Sequence, residues 1–242
     1  TMDAPGNPFQ VYDRAGERLA TVRLGRIPEH KKATLKKMLA DEVAWALRQK
    51  GSLKLVKLAD GARDNWSFFD EELPEGTSIV DFYHAAEHVK SALEACYGET
   101  SPKGRAQFEK LRHVLREERR GVDKVIRSLV HLRNTHRKSR KVALELTYFR
   151  RNRRRMCYAR WKANGLPIGS GVVEAACKTL VTQRMKRSGM RWRHQGGQAI
   201  LTFRALAQSD RFERGWNLLA ATYKSKVSLP RNVVAFYPRA LR

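Results

Sequence analysis

The sequence predicts an α/β fold carrying an all-helical insertion. Two observations lead there. Strand-like and helix-like segments alternate through residues 1–102, and the segments after residue 103 have the helical period. The charge changes at the same place. Residues 1–102 hold 14 basic and 16 acidic residues, whereas residues 103–193 hold 27 basic and 6 acidic.

The elements follow in order. Phe9–Tyr12 and Arg18–Leu24 read as a hairpin around Asp13-Arg14-Ala15-Gly16, with Gly16 supplying the turn's backbone angle. Pro28 and Glu29 open a helix to Gln49, with Leu35, Met38, Leu39, Val43, Ala46 and Leu47 on one stripe. Leu53–Ala59 is a short apolar strand that stops at Asp60-Gly61, and Asn65–Phe69 starts a short helix. Ser78–Phe82 is a further strand, followed by a helix over Tyr83–Tyr97 and a polar linker over Gly98–Gly104. Arg105–Ala163 is helical, with breaks near Gly121 and Asn134–Ser139. Gly169-Ser170-Gly171 precedes a helix to Arg187, Gln195–Ser209 forms another, and the end reads as a tail. The division expected is 1–102 as the first part of an α/β domain, 103–163 as a basic helical insertion, 164–210 as helices returning to that domain, and 211–242 as a tail.

Composition narrows the function classes. The 242 residues carry 49 Lys and Arg against 24 Asp and Glu, a net +25. An excess of this size points to an anionic polymer, most simply nucleic acid. Its concentration in one block marks a binding surface and not a solubility device. The densest runs are Arg150, Arg151, Arg153, Arg154, Arg155, Arg160 and Lys162, then Arg184, Lys186, Arg187, Arg191 and Arg193 around Met190 and Trp192. Cations beside an aromatic suit phosphate contact with base stacking, although Trp192 equally fits a buried anchor. The absence of an 18-residue apolar run excludes a spanning helix. Three cysteines without paired spacing, and no apolar N-terminal segment, fit a cytoplasmic setting.

Several residues could carry chemistry. Asp60 ends an apolar strand, at the edge where ligands gather in open α/β sheets, although Asp-Gly is also an ordinary turn. Glu174 falls in the first turn of the helix after Gly171, where an acid also complements the helix dipole. Asp81 stands at a strand-to-helix junction as a candidate cap, with His84 beside it. His84-Ala85-Ala86-Glu87-His88 also fits the H-x-x-E-H pattern of inverted zinc peptidases. That reading needs a third ligand, from Glu109, Glu117, Glu118, Asp123, Glu145 or Glu174.

Three stretches resemble a known family. They are Leu58–Trp66 (LADGARDNW), Val80–His88 (VDFYHAAEH) and Gly165–Lys178 (GLPIGSGVVEAACK). They resemble the bacterial insertion-sequence transposases of the Kra group, within the Mutator-like DDE transposases, and the similarity continues through Thr182–Trp192. The resemblance implies an RNase H-like fold with three catalytic carboxylates and a helical domain inserted between the second and third. Asp60 then corresponds to the second Asp and Glu174 to the Glu, both as metal ligands, while Asp81 and His84 match a supporting C/D-x-x-H signature. Mg2+ or Mn2+, two ions in the complete site, would be the cofactor, because paired ions clamp the attacking and leaving oxygens of a phosphodiester. Double-stranded DNA is the implied substrate, held by Arg150, Arg151, Arg153, Arg154, Arg155, Lys178, Arg184, Lys186, Arg187, Arg191, Trp192 and Arg193. A homo-oligomer is the implied active form. The first Asp should lie on a strand before the hairpin, but Asp3 falls in a loop-like stretch and Asp13 in the turn. The chain is therefore expected to be a C-terminal portion, its first strand missing. A non-catalytic DNA-binding remnant is the alternative.

Overall fold

The computed structural model describes residues 6–13, 15–136, 139–169, 171–186 and 188–226. The side chains of residues 6–8 and 172–174 lie outside that description. The fold is mixed α/β and mostly helical, with two small sheets. Strands β1 (Gly6–Tyr12) and β2 (Arg18–Gly25) pair antiparallel, with a register shift between Val11 and Tyr12. Gly16 takes φ +89 in the turn, the left-handed angle that a side chain resists. Asp13 closes the turn by accepting the Glu17 N–H at 2.8 Å.

Helix α1 (Ala33–Gln49) starts later than Pro28-Glu29 suggests. Lys31 and Lys32 both take positive φ, which breaks the entry. Glu29 nonetheless serves this end, because its carboxylate accepts the Leu35 N–H at 2.8 Å. Strand β3 (Val56–Ala59) is shorter than Leu53–Ala59 and pairs in parallel with β4 (Thr77–Val80). Between them lies α2 (Arg63–Glu72), whose end is held by buried Lys57, with Nζ 2.8 Å from the Phe69 carbonyl oxygen. Asp81 then opens α3 (Phe82–Tyr97).

The helical segment contains α4 (Pro102–Glu117), α5 (Gly121–Thr135), α6 (Arg140–Asn152), a 3-10 turn over Arg153–Arg155, and α7 (Tyr158–Ala163). Its breaks fall where Gly121 and the Asn134–Ser139 stretch place them. Ser101 caps α4 through the Gly104 N–H, so the polar linker is shorter than Gly98–Gly104. The chain continues through α8 (Gly171–Cys177), a π-helical stretch over Lys178–Thr182, α9 (Gln183–Met185) and α10 (His194–Gln208). Phe212–Lys226 forms α11, which corrects the expectation of a tail from residue 211. Its exposed Phe212, Trp216, Leu219 and Tyr223 recur at helical spacing.

Three apolar clusters organise these elements. The largest joins Ile79 and Val80 of β4 to α3 and to Leu115, Val125, Leu129, Leu146 and Phe149 of the helical segment. Residue 102 is therefore not a core boundary: α4–α7 share one interior with β3, β4 and α3. A second cluster packs β2 against α1, and a third joins Ile27 to Leu180, Val181, Met185 and Leu201. Helix α2 links the first two, with Trp66 in one, Phe68 in the other and Phe69 against both. Among the described residues β1–β2 and β3–β4 are separate two-stranded sheets, and no single RNase H-like sheet joins them. No helix among them is long and apolar enough to cross a membrane.

Candidate functional site

The parallel register of β3 and β4 determines where the two aspartates sit. Ala59 pairs with Val80, so Asp60 and Asp81 follow the two strands at one sheet edge. The Asp81 N–H donates to the Ala59 carbonyl at 2.8 Å, which ties the two exits together. Their environments differ. Asp81 is 1% exposed, and its Oδ1 accepts the N–H groups of Tyr83 at 2.7 Å and His84 at 3.0 Å. This is the capping role its position suggests. Asp60 is half-buried. Its Oδ1 accepts the Ala62 N–H at 3.0 Å and the Asn65 amide at 2.9 Å, while its backbone carbonyl accepts the Trp66 indole at 2.8 Å. Its loop is thus fixed by its own helix α2.

Sequence reasoning missed Tyr148 of α6. A Cβ on residue 61 would lie 2.1 Å from the Tyr148 ring, so Gly61 is required by this aromatic. The close approach in the Asp-Gly motif is therefore a side chain of the helical segment. The Tyr148 hydroxyl is buried, with no hydrogen-bond partner among the described residues. Burial raises its pKa far above the usual phenol range, and the charge of Asp60 adds to the rise. His88 stacks on the same ring at 3.6 Å between centroids. Its Nδ1 lies 2.5 Å from Glu145 Oε2, and Lys141 lies 3.1 Å from the other oxygen. Burial pushes the Glu145 carboxyl up, but the bonds from His88 and Lys141 outweigh it and hold the carboxyl below its ordinary range. No local motif signals Tyr148, because it reaches the edge only through the shared core.

The two histidines of the H-x-x-E-H pattern turn to different partners. His84 faces Glu87 at 3.3 Å, and His88 faces Glu145. Among the described residues no three His, Cys, Asp or Glu side chains are grouped to hold a metal ion. The described donors do not by themselves fit two divalent ions. Asp81 spends one oxygen on the α3 cap, and Asp60 spends one on its own loop. Glu174 has its backbone in α8, and its side chain lies outside the description.

The arginines divide into three settings. Arg153 is held by Asp123 at 2.5 Å, an interaction that keeps the Asp123 carboxyl below its ordinary range. Arg155 pairs with Asp70 at 3.0 Å and lies over the Trp66 ring at 4.2 Å. Arg150 is exposed. Arg151, Arg154, Arg155 and Arg160 line a cavity of about 520 Å³, and Arg151 also donates to the Gly61 carbonyl at 2.8 Å. One side chain thus joins the cavity to the Asp60 loop.

The second cluster is more dispersed. Lys178, Arg184, Lys186, Arg191 and Arg193 are exposed, whereas Arg187 lies outside the described residues. Trp192 is an anchor: its indole N–H donates to the Met185 carbonyl at 3.2 Å, and it packs on the third cluster. Arg184 lies 6.0 Å from the centroid of that ring. No protein-family model, curated protein or solved structure matches this chain.

Proposed function

We propose that this chain is part of a DDE-type transposase of bacterial insertion sequences, acting on double-stranded DNA as a homo-oligomer in the bacterial cytoplasm. The observation that carries this reading is the link between Asp60 and the arginine-lined cavity through Arg151. An acid at the exit of a parallel strand pair, beside guanidinium groups, suits phosphodiester chemistry. The arginines would hold the phosphates and fix the strand path, and Asp60 would offer its remaining oxygen as a ligand to a metal ion beside the scissile group. In the complete enzyme Mg2+ or Mn2+, two ions, would stabilise the charge at the reacting phosphate. The acid set would then need Glu174 and a first Asp beyond the described residues.

The strand pairing supports an RNase H-like reading. Without its central strand, such a sheet leaves the antiparallel hairpin on one side and the parallel pair on the other. Those are the two pairs seen in β1–β2 and β3–β4. The first Asp would enter on that central strand.

A second reading is a DNA-binding remnant without catalysis. It is favoured by the donor set, because Asp60 and Asp81 each spend an oxygen on their own backbone and the described donors do not by themselves fit two divalent ions. Strand cleavage of duplex DNA in Mg2+ or Mn2+ separates the two. Cleavage lost in both Asp60→Asn and Glu174→Gln supports the enzyme. DNA binding without cleavage supports the remnant, and cleavage unchanged in both variants overturns the site assignment.

A further inference from the structure

The cavity beside the Asp60 loop has a shape that ordinary duplex binding does not use. Its walls include Thr77 and Ser78 of β4, the four arginines and Asn164, and no acidic residue lines it. Arg151 is held to the Gly61 carbonyl and Arg155 to Asp70, so both are pre-positioned. Arg154 and Arg160 have no acidic partner among the described residues. Two unpaired guanidinium groups facing a polar concavity call for an anion with several acceptor oxygens, and phosphate matches the guanidinium fork. The site is a recess of about 520 Å³. A recess of that size suits one nucleotide unit.

We infer that this recess binds the phosphate of a single nucleotide, presented by a DNA strand end or by an unstacked nucleotide. Guanidinium groups of Arg154 and Arg160 take the phosphate, Ser78, Thr77 and Asn164 supply neutral hydrogen bonds, and Arg151 relates the bound phosphate to the Asp60 loop. The inference rests on the DNA reading above and adds strand-end selectivity to it. A free nucleotide carries the same chemistry, and the test separates the two sources.

The test compares fluorescence-anisotropy titrations of the full chain with three probes: a blunt duplex, a duplex with a 5′-phosphorylated single-stranded overhang, and a labelled deoxynucleoside monophosphate. The overhang duplex is expected to bind about tenfold tighter than the blunt one. Arg160→Gln, and separately the isosteric Asn164→Asp on an exposed position, should collapse that ratio to about one. Circular dichroism checks that both variants fold. Equal affinity for the two duplexes, or a ratio that survives both variants, overturns the inference while leaving DNA binding intact. Binding of the monophosphate with no binding of either duplex keeps the nucleotide recess but overturns the DNA reading. Binding of none of the three probes overturns both.

Discussion

The ring of Tyr148 occupies the space beside Gly61 in which any other residue would place its Cβ, 2.1 Å from the nearest ring carbon. This contact brings α6 against the loop that carries Asp60. It makes the helical segment part of the candidate site and not an appendage to it. Gly61→Ala is therefore expected to destabilise the protein by about 1–3 kcal/mol, the usual cost of overpacking. Urea unfolding measures it. The paired substitution Gly61→Ala with Tyr148→Leu should recover part of the loss, because the smaller side chain yields space.

Asp81 is expected to behave as a helix cap first. Asp81→Ala removes the acceptor for the Tyr83 and His84 N–H groups and should cost about 1–2 kcal/mol. Asp81→Ser retains a capping oxygen and should cost clearly less. Equal losses in the two variants would mean that the carboxylate charge, and not the cap, matters there.

Glu145 predicts a pH dependence. Its carboxyl is held below its ordinary value of 4.5 by His88 and Lys141 against the effect of burial. A carboxyl depressed in the folded state stabilises the protein above its unfolded pKa, and that contribution is lost as pH falls through the folded value. Wild-type stability should therefore fall as pH drops below 4.5, and Glu145→Gln should flatten the fall in that window. Thermal unfolding between neutral pH and pH 3 reads both.

Much of this arrangement was legible in the sequence, and what was not has physical causes. The hairpin, the two short strands and the helical breaks follow from turn residues and apolar period, which are local signals, whereas the parallel pairing of those strands is tertiary. The exit of Asp60 from a strand and the capping position of Asp81 follow in the same way. Tyr148 could not be placed, because only tertiary packing brings it to Gly61. The domain boundary at residue 102 followed the charge, but the core ignores surface charge and runs through it. The run Arg150–Arg155 looked uniform in sequence. In three dimensions Asp123 and Asp70 claim Arg153 and Arg155, which leaves Arg154 beside the cavity without an acidic partner among the described residues. Helix α11 brings Gly215 against Leu206 of α10, 3.0 Å from where its Cβ would be.

That division among the arginines has a consequence for DNA binding. Affinity for the duplex with the 5′-phosphorylated overhang should fall steeply with salt, with a slope of about −0.7 to −0.9 per phosphate contact. Arg154→Gln should reduce the slope by about one unit, whereas Arg153→Gln should leave it close to the wild-type value. A larger change for Arg153 than for Arg154 would contradict the assignment of Arg153 to Asp123.

Strand cleavage is the most direct measurement of all. Duplex DNA carrying insertion-sequence ends is incubated with the full chain in Mg2+ or Mn2+, and nicked product is followed by denaturing electrophoresis. Asp60→Asn is compared with wild type after both are shown to bind the DNA equally. Cleavage by the wild type, reduced at least about 100-fold by Asp60→Asn with binding retained, is expected of a catalytic acid at this edge. Cleavage that persists in Asp60→Asn with binding retained would contradict it, whereas DNA binding by the wild type with no cleavage would support the remnant reading.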